Sequence, residues 1–217
     1  MKRNVAVAVV SFLAVLSLTM GHAYARGPTD IKGNPIHTKA RIGLGVRAGF
    51  SVFPQTAIDG ADSKVGIAAG GSAFYAITDW LHVGVAADWA MHRHELEGTD
   101  IDLGHDSVIT ILLFAELRGP FSSYLYFGAG YNLNDLNDIE DVLGNTIDME
   151  NTLAIQGGAG WDAFVSQYFA INVEIGYNYN KGDAELVQGS TRVPLGDVDL
   201  STIVFTVGLR YFFPPLF

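Results

Sequence analysis

Between Leu200 and Phe213 the chain reads LSTIVFTVGLRYFF, and its two parities differ in kind. Ile203, Phe205, Val207, Leu209, Tyr211 and Phe213 share one face, while Thr202, Val204, Thr206, Gly208, Arg210 and Phe212 share the other. A period of two over such a length is a β-strand, because successive strand side chains point to opposite faces. The first face is unbroken hydrocarbon and aromatic ring. A soluble sandwich buries one face of each strand and leaves the other polar. A chain that repeats this pattern many times carries more apolar faces than one core takes up, and lipid is the solvent that receives them.

The pattern does repeat. The same alternation runs through residues 41–53, 65–77, 81–94, 107–118, 124–134, 152–164 and 169–180. Each segment has one apolar parity, such as Ile42, Leu44, Val46 and Phe50 in the first and Ile109, Ile111, Leu113 and Leu117 in the fourth. No charge falls on that parity, taken in the third segment from Leu81 to Met91, where a Lys or Arg at mid-bilayer would cost about 2–4 kcal/mol. The segments exceed the usual soluble strand of about 5–6 residues and suit tilted membrane strands. Their connections alternate between short (78–80, 119–123, 165–168) and long (54–64, 95–106, 135–150, 181–199). This spacing predicts an all-β fold over residues 40–217, an eight-stranded antiparallel up-and-down transmembrane β-barrel. The long loops are expected outside a Gram-negative cell and the termini in the periplasm. The loops hold most of the acidic residues, and we read them as solvated.

Composition narrows the alternatives. A net charge of -10 argues against nucleic acid as a partner. The absence of cysteine excludes disulfides and thiolate metal sites. Beyond the N-terminus no apolar run approaches the roughly 18 residues of a membrane helix. At the N-terminus, Lys2 and Arg3 precede an apolar stretch, and Ala23-Tyr24-Ala25 has the small-x-small form of a cleavage site. Residues 1–25 therefore read as a signal peptide. Residues 26–39, with two prolines and two glycines, read as an irregular N-terminal leader.

Function should lie on the inward parity. Near the short-turn end this face carries Arg41, Arg47, His82, Glu116, Arg118, Asp162, Glu174 and Arg210. Buried charges must pair, and an eight-stranded barrel is just wide enough to fill with side chains. Arg47, Glu116, Arg118, Asp162, Glu174 and Arg210 are therefore expected to form a cross-linked charge plug. Toward the long loops the inward positions turn small or apolar, among them Phe53, Val108, Leu112, Ala154 and Val204, with Asn132, Gln156 and Asn178 between them. Such a lining either relieves crowding or leaves a pocket for apolar ligands. His92 and His94 point inward near the rim. They are weak metal candidates, and we expect them to be solvated polar groups. No cofactor is expected.

Several segments resemble the OmpW family of eight-stranded outer-membrane proteins. The likeness rests on Tyr126-Phe-Gly-Ala-Gly-Tyr-Asn-Leu-Asn134, similar to that family's YVGAGxNY strand, and on His92-Arg93-His94. Ala159-Gly-Trp-Asp162 with the strand through Tyr179, and the closing run from Val198 to Tyr211, carry it further. The resemblance implies passive uptake of small hydrophobic molecules with lateral exit into the bilayer, which favours the pocket, with Phe53, Val108, Leu112, Ala154 and Val204 as the pathway. Thr206, Gly208, Tyr211 and Phe213 resemble the assembly signal read by the barrel assembly machinery, although Pro214-Pro215-Leu216-Phe217 follows it. Outer-membrane lipid and lipopolysaccharide are the other expected partners. An enzyme of the lipid-deacylating kind would need a serine with histidine and acid. His105-Asp106-Ser107 is contiguous and has no triad spacing, so no enzymatic activity is expected. The alternative is a structural or adhesive barrel that acts through its loops.

Overall fold

The computed structural model describes residues 29–54, 61–96, 98–99, 101–136, 139, 146–188 and 191–215. The predicted signal peptide and Phe217 lie outside these residues. Eight strands form the wall: β1 (Ile42–Val52), β3 (Gly66–Ala76), β4 (Leu81–Leu96), β5 (Asp102–Arg118), β6 (Ser123–Asp135), β8 (Thr152–Phe164), β9 (Phe169–Tyr179) and β12 (Thr202–Phe212). Between them lie the short strands β2 (Ala61–Ser63), β7 (Thr146–Met149), β10 (Lys181–Gln188) and β11 (Thr191–Asp199). Each wall strand pairs antiparallel with its neighbours. The pairing of β1 with β12 closes the sheet, so no wall strand keeps an open edge.

The parity reading holds around the circle. Val46, Val85, Leu113, Phe127, Leu153, Val173 and Val207 are exposed on the outside of seven staves. Trp80, Phe121, Tyr211 and Phe213 are exposed near the short-turn end, and Phe50, Tyr131, Tyr177 and Tyr179 toward the long-loop end. Rings at these two heights match the two interfaces of a bilayer.

The long-loop end of the barrel differs from the sequence expectation. The long loops are not simply solvated. The 135–150 and 181–199 connections supply β7, β10 and β11, which join as a three-stranded sheet in the order β11-β10-β7. The underside of this sheet is apolar. Leu136, Ile139, Ile147, Met149 and Ala184 are buried against Val108 and Leu200, with Phe53, Leu186 and Val198 packed at the edge. Alternation again explains it, since Ile147 and Met149 point down while Thr146 and Asp148 point up.

At the other end the leader packs as a stopper. Ile36 is buried in a cluster with Phe74, Phe164, Ala170 and Phe212. The Asp79 carboxylate, in the β3–β4 turn, accepts the backbone N–H groups of Thr38 (2.6 Å) and Lys39 (2.8 Å). Ile31 N–H donates to the Phe164 carbonyl at 3.0 Å. The chain enters β1 through Ala40, at φ 60°.

Candidate functional site

The lumen is stacked in layers, and each follows from which inward residues share a height. Above the stopper lies the charge network. Arg118 donates to Glu116 and to Asp162, both at 2.6 Å. Arg210 donates to Glu116 at 2.8 Å and to the Tyr124 hydroxyl at 2.9 Å. Tyr124 passes its own proton toward Glu174 at 2.7 Å. Arg47 forms a two-pronged pair with Asp88 at 2.9 and 2.6 Å and reaches Glu174 at 3.6 Å. All six residues expected in the plug are thus brought together. Two parts of it were missed. Asp88 shares the inward parity of His82 and His92 and was available to the same argument. Tyr124 could not be found from charge alone. Arg41 stands apart, donating to the Gln167 carbonyl at 2.6 Å and lying 5.4 Å from the Tyr168 ring centre.

Two glycines make the network possible. A Cβ at Gly160 would fall on the Tyr124 ring, and one at Gly176 on the Tyr126 hydroxyl. Strands β8 and β9 therefore give up side chains so that the two tyrosines of β6 can cross the lumen.

Above the plug, Leu112 packs with Ala86 and Ala154 in a small apolar cluster. A small cavity of about 10 Å³ lies here among Arg47, Leu112, Tyr126 and Arg210. Higher up is a cavity of about 30 Å³, with Arg47, Asp88 and Glu174 at its floor and Val108 and Leu200 at its roof. A volume of roughly 10–15 Å³ holds one water, so these spaces hold about one and two. Of the expected pathway residues, Val108 and Val204 line the upper cavity, Phe53 packs at the edge of the lid, and Leu112 and Ala154 sit a level lower. They do not converge on one open channel.

A neutral polar network rings the cavity. Asn132 donates to Thr152 and to the Tyr179 carbonyl, both at 3.2 Å, and accepts from Thr110 at 2.8 Å and Asn178 at 3.1 Å. Asn180 extends it to Asn134 at 2.7 Å.

The rim histidines correct the sequence expectation. They are not solvated: His92 is 1% exposed, and His94 and Asp106 are 0% exposed. His92 holds Ser51 through Nε2 (2.7 Å) and Asp106 through Nδ1 (3.3 Å). His94 reaches Ser63 at 3.1 Å and Asp106 at 3.1 Å. The Phe53 ring lies 4.3 Å from that of His92 and closes the group from above. The sequence spacing places Asp106 in a loop, but β5 continues up to Asp102 and carries it inward. Hydroxyl, imidazole and carboxylate stand in the order of a nucleophilic triad. Ser51, however, is fully buried and Asp106 is shared by two imidazoles, so the group braces β1, β2, β4 and β5. No three His, Asp or Glu side chains among the described residues are arranged to hold a metal ion.

A closed eight-stranded barrel with an apolar belt, two aromatic girdles and a filled lumen is an outer-membrane β-barrel. The outer membrane protein beta-barrel domain family matches residues 10–213, and the chain belongs to that family. Its fold is similar to the crystal structure of OprG from Pseudomonas aeruginosa, with TM-score 0.58 and 18% identity, covering 82% of this chain and 98% of that one. It is also similar to the outer membrane protein AlkL in lipid bilayers, with TM-score 0.56 and 11% identity, covering 83% and 93%. Both are eight-stranded outer-membrane barrels of the OmpW and OprG family. No curated protein sequence matches.

Proposed function

We propose that this barrel carries small hydrophobic molecules from outside the cell into the outer membrane, without catalysis and without a cofactor. The long-loop end faces out and both chain ends face the periplasm. One observation carries the reading: the apolar underside of the lid is continuous, through Val108 and Leu200, with the roof of the upper cavity, while the floor is sealed by ion pairs. An apolar molecule that enters through the lid gains burial and meets no open axial route below. Its exit is sideways, through the wall. The lid must part for this, since the cavity holds only about two waters in the closed state.

The test is uptake of a labelled small hydrocarbon by cells that lack the gene, restored with the wild type or with Val204→Arg. Wild-type rescue alone, with both barrels shown to be assembled, is the expected result. Equal uptake in all three strains would reject transport.

A second reading, contact through the loops, is favoured by β11. It ends the lid sheet and exposes Val193 and Leu195. Trimming the β10–β11 hairpin would then abolish adhesion and leave uptake intact. In either case Tyr211 and Phe213, exposed at the last strand's end, are the side chains we assign to the assembly machinery, and the belt meets lipid and lipopolysaccharide.

A further inference from the structure

Two side chains that line the upper cavity carry a carbonyl oxygen without a donor. Asn178 Oδ1 and Gln156 Oε1 are buried and unpartnered, on side chains 7% and 5% exposed. Both residues line the cavity, and they face each other across the β8–β9 pairing.

Their orientation is forced. The Tyr179 backbone carbonyl can only accept, so the Asn132 side chain must turn its NH₂ toward it. The Asn132 oxygen then faces Asn178, which must answer with its own NH₂. That leaves Asn178 Oδ1 without a donor. Gln156 is set in the same way. Its Nε2 lies 3.3 Å from the Tyr126 hydroxyl and donates to it. Gln156 Oε1 is thereby left without a donor as well. An unsatisfied buried acceptor is costly, and the more so where water is scarce.

The rest of the lining is divided. The floor holds Asp88 and Glu174 against the single cation Arg47, which disfavours an anionic ligand. The roof is Val108 and Leu200, which also belong to the apolar cluster beneath the lid.

We propose that this cavity, enlarged when the lid parts, is a binding site for small aliphatic molecules that carry a hydrogen-bond-donating head, short-chain alcohols above all, with the O–H on Asn178 and Gln156 and the tail in the apolar cluster under the lid. This deepens the uptake reading and rests on it for its physiological meaning. Plain hydrocarbons would enter but leave two acceptors bare. Carboxylic acids would be turned away by the floor.

The experiment is titration of the full barrel in lipid nanodiscs with 1-hexanol, hexane and hexanoate. It is followed by the side-chain amide signals of Asn178 and Gln156, for the wild type, Gln156→Leu and Gln156→Glu. Gln156→Leu removes one 3.3 Å hydrogen bond to Tyr126 and leaves the Arg47, Arg118 and Arg210 pairs untouched. Expected are shifts of both amides with 1-hexanol, tighter binding of 1-hexanol than of hexane, and no saturable binding of hexanoate. One net hydrogen bond corresponds to about a two- to tenfold loss of that preference in Gln156→Leu, with retention in Gln156→Glu. Hexane binding as tightly as 1-hexanol, or Gln156→Leu keeping the full preference, would overturn the proposal and assign the two acceptors to water alone. If 1-hexanol binds as described while the uptake assay shows no rescue, the binding site stands and the transport reading falls.

Discussion

The two halves of the lumen are filled by opposite means. Near the short turns, Arg47, Arg118 and Arg210 are locked to Asp88, Glu116, Asp162 and Glu174. Near the long loops, neutral amides and hydroxyls surround a small cavity under an apolar lid. The difference lies in what each half tolerates. A buried ion that loses its partner is left with an uncompensated charge, so the lower half admits no substitute. An amide can exchange one neutral partner for another, and an apolar cluster can take in one more alkyl chain. The lower half fixes the barrel, and the upper half is where the proposed entry lies.

Arg210→Met would break this contrast most severely. It strips Glu116, Asp162 and Tyr124 of a shared donor and should destabilise the barrel by about 3–5 kcal/mol in urea unfolding from detergent. Gly160→Ala follows, forcing the Tyr124 ring out of place at a cost of about 1–3 kcal/mol. In the upper half, Asp106→Asn weakens the acceptor that two imidazoles share. A loss of about 1–2 kcal/mol is expected, with faster amide exchange at the tops of β4 and β5. Ile147→Ala sharpens the comparison from the lid side. It should speed amide exchange in β7, β10 and β11 while the barrel's own unfolding midpoint stays in place. If the whole barrel lost stability with it, the lid would be part of the same cooperative unit and the contrast would be wrong.

The smallest effect concerns the stopper. Burial works to raise the Asp79 pKa, but hydrogen bonds from the Lys39 backbone, His37 and the Thr38 backbone outweigh it and hold it below the ordinary carboxylate value. A lowered pKa stabilises the docked leader above that ordinary value. The stabilisation is lost as pH falls through Asp79's own, lower pKa. Limited proteolysis of the leader should therefore stay slow at neutral pH and accelerate only in strong acid, whereas Asp79→Asn should make it fast at every pH.

The barrel wall was legible because alternation is a local signal and every stave repeats it. The plug was legible because charges on the inward parity must find one another. Asp88 was overlooked although the same parity exposes it. The lid was hidden for a different reason. Acidic residues dominate the long loops, and the short alternation of Ile147 with Met149 and of Ala184 with Leu186 is easily lost among them. Burial of His92 and His94 depends on Phe53 and on β2, whose Ser63 reaches His94, so parity set their direction and not their exposure. The leader's Ile36 carries no periodic signal at all, and only the closed floor shows why it is apolar.

Arg210 sits close to the end of the last strand, yet its partners come from β5, β6, β8 and β9. Strand β12 also supplies the seam with β1. Neutralising the inner carboxylates and sewing the sheet shut are therefore a single event in time. A chain that stalls before its last strand carries stranded negative charge beside an open edge, and neither can settle into lipid. The final arginine thus ties closure of the sheet to neutralisation of the lumen.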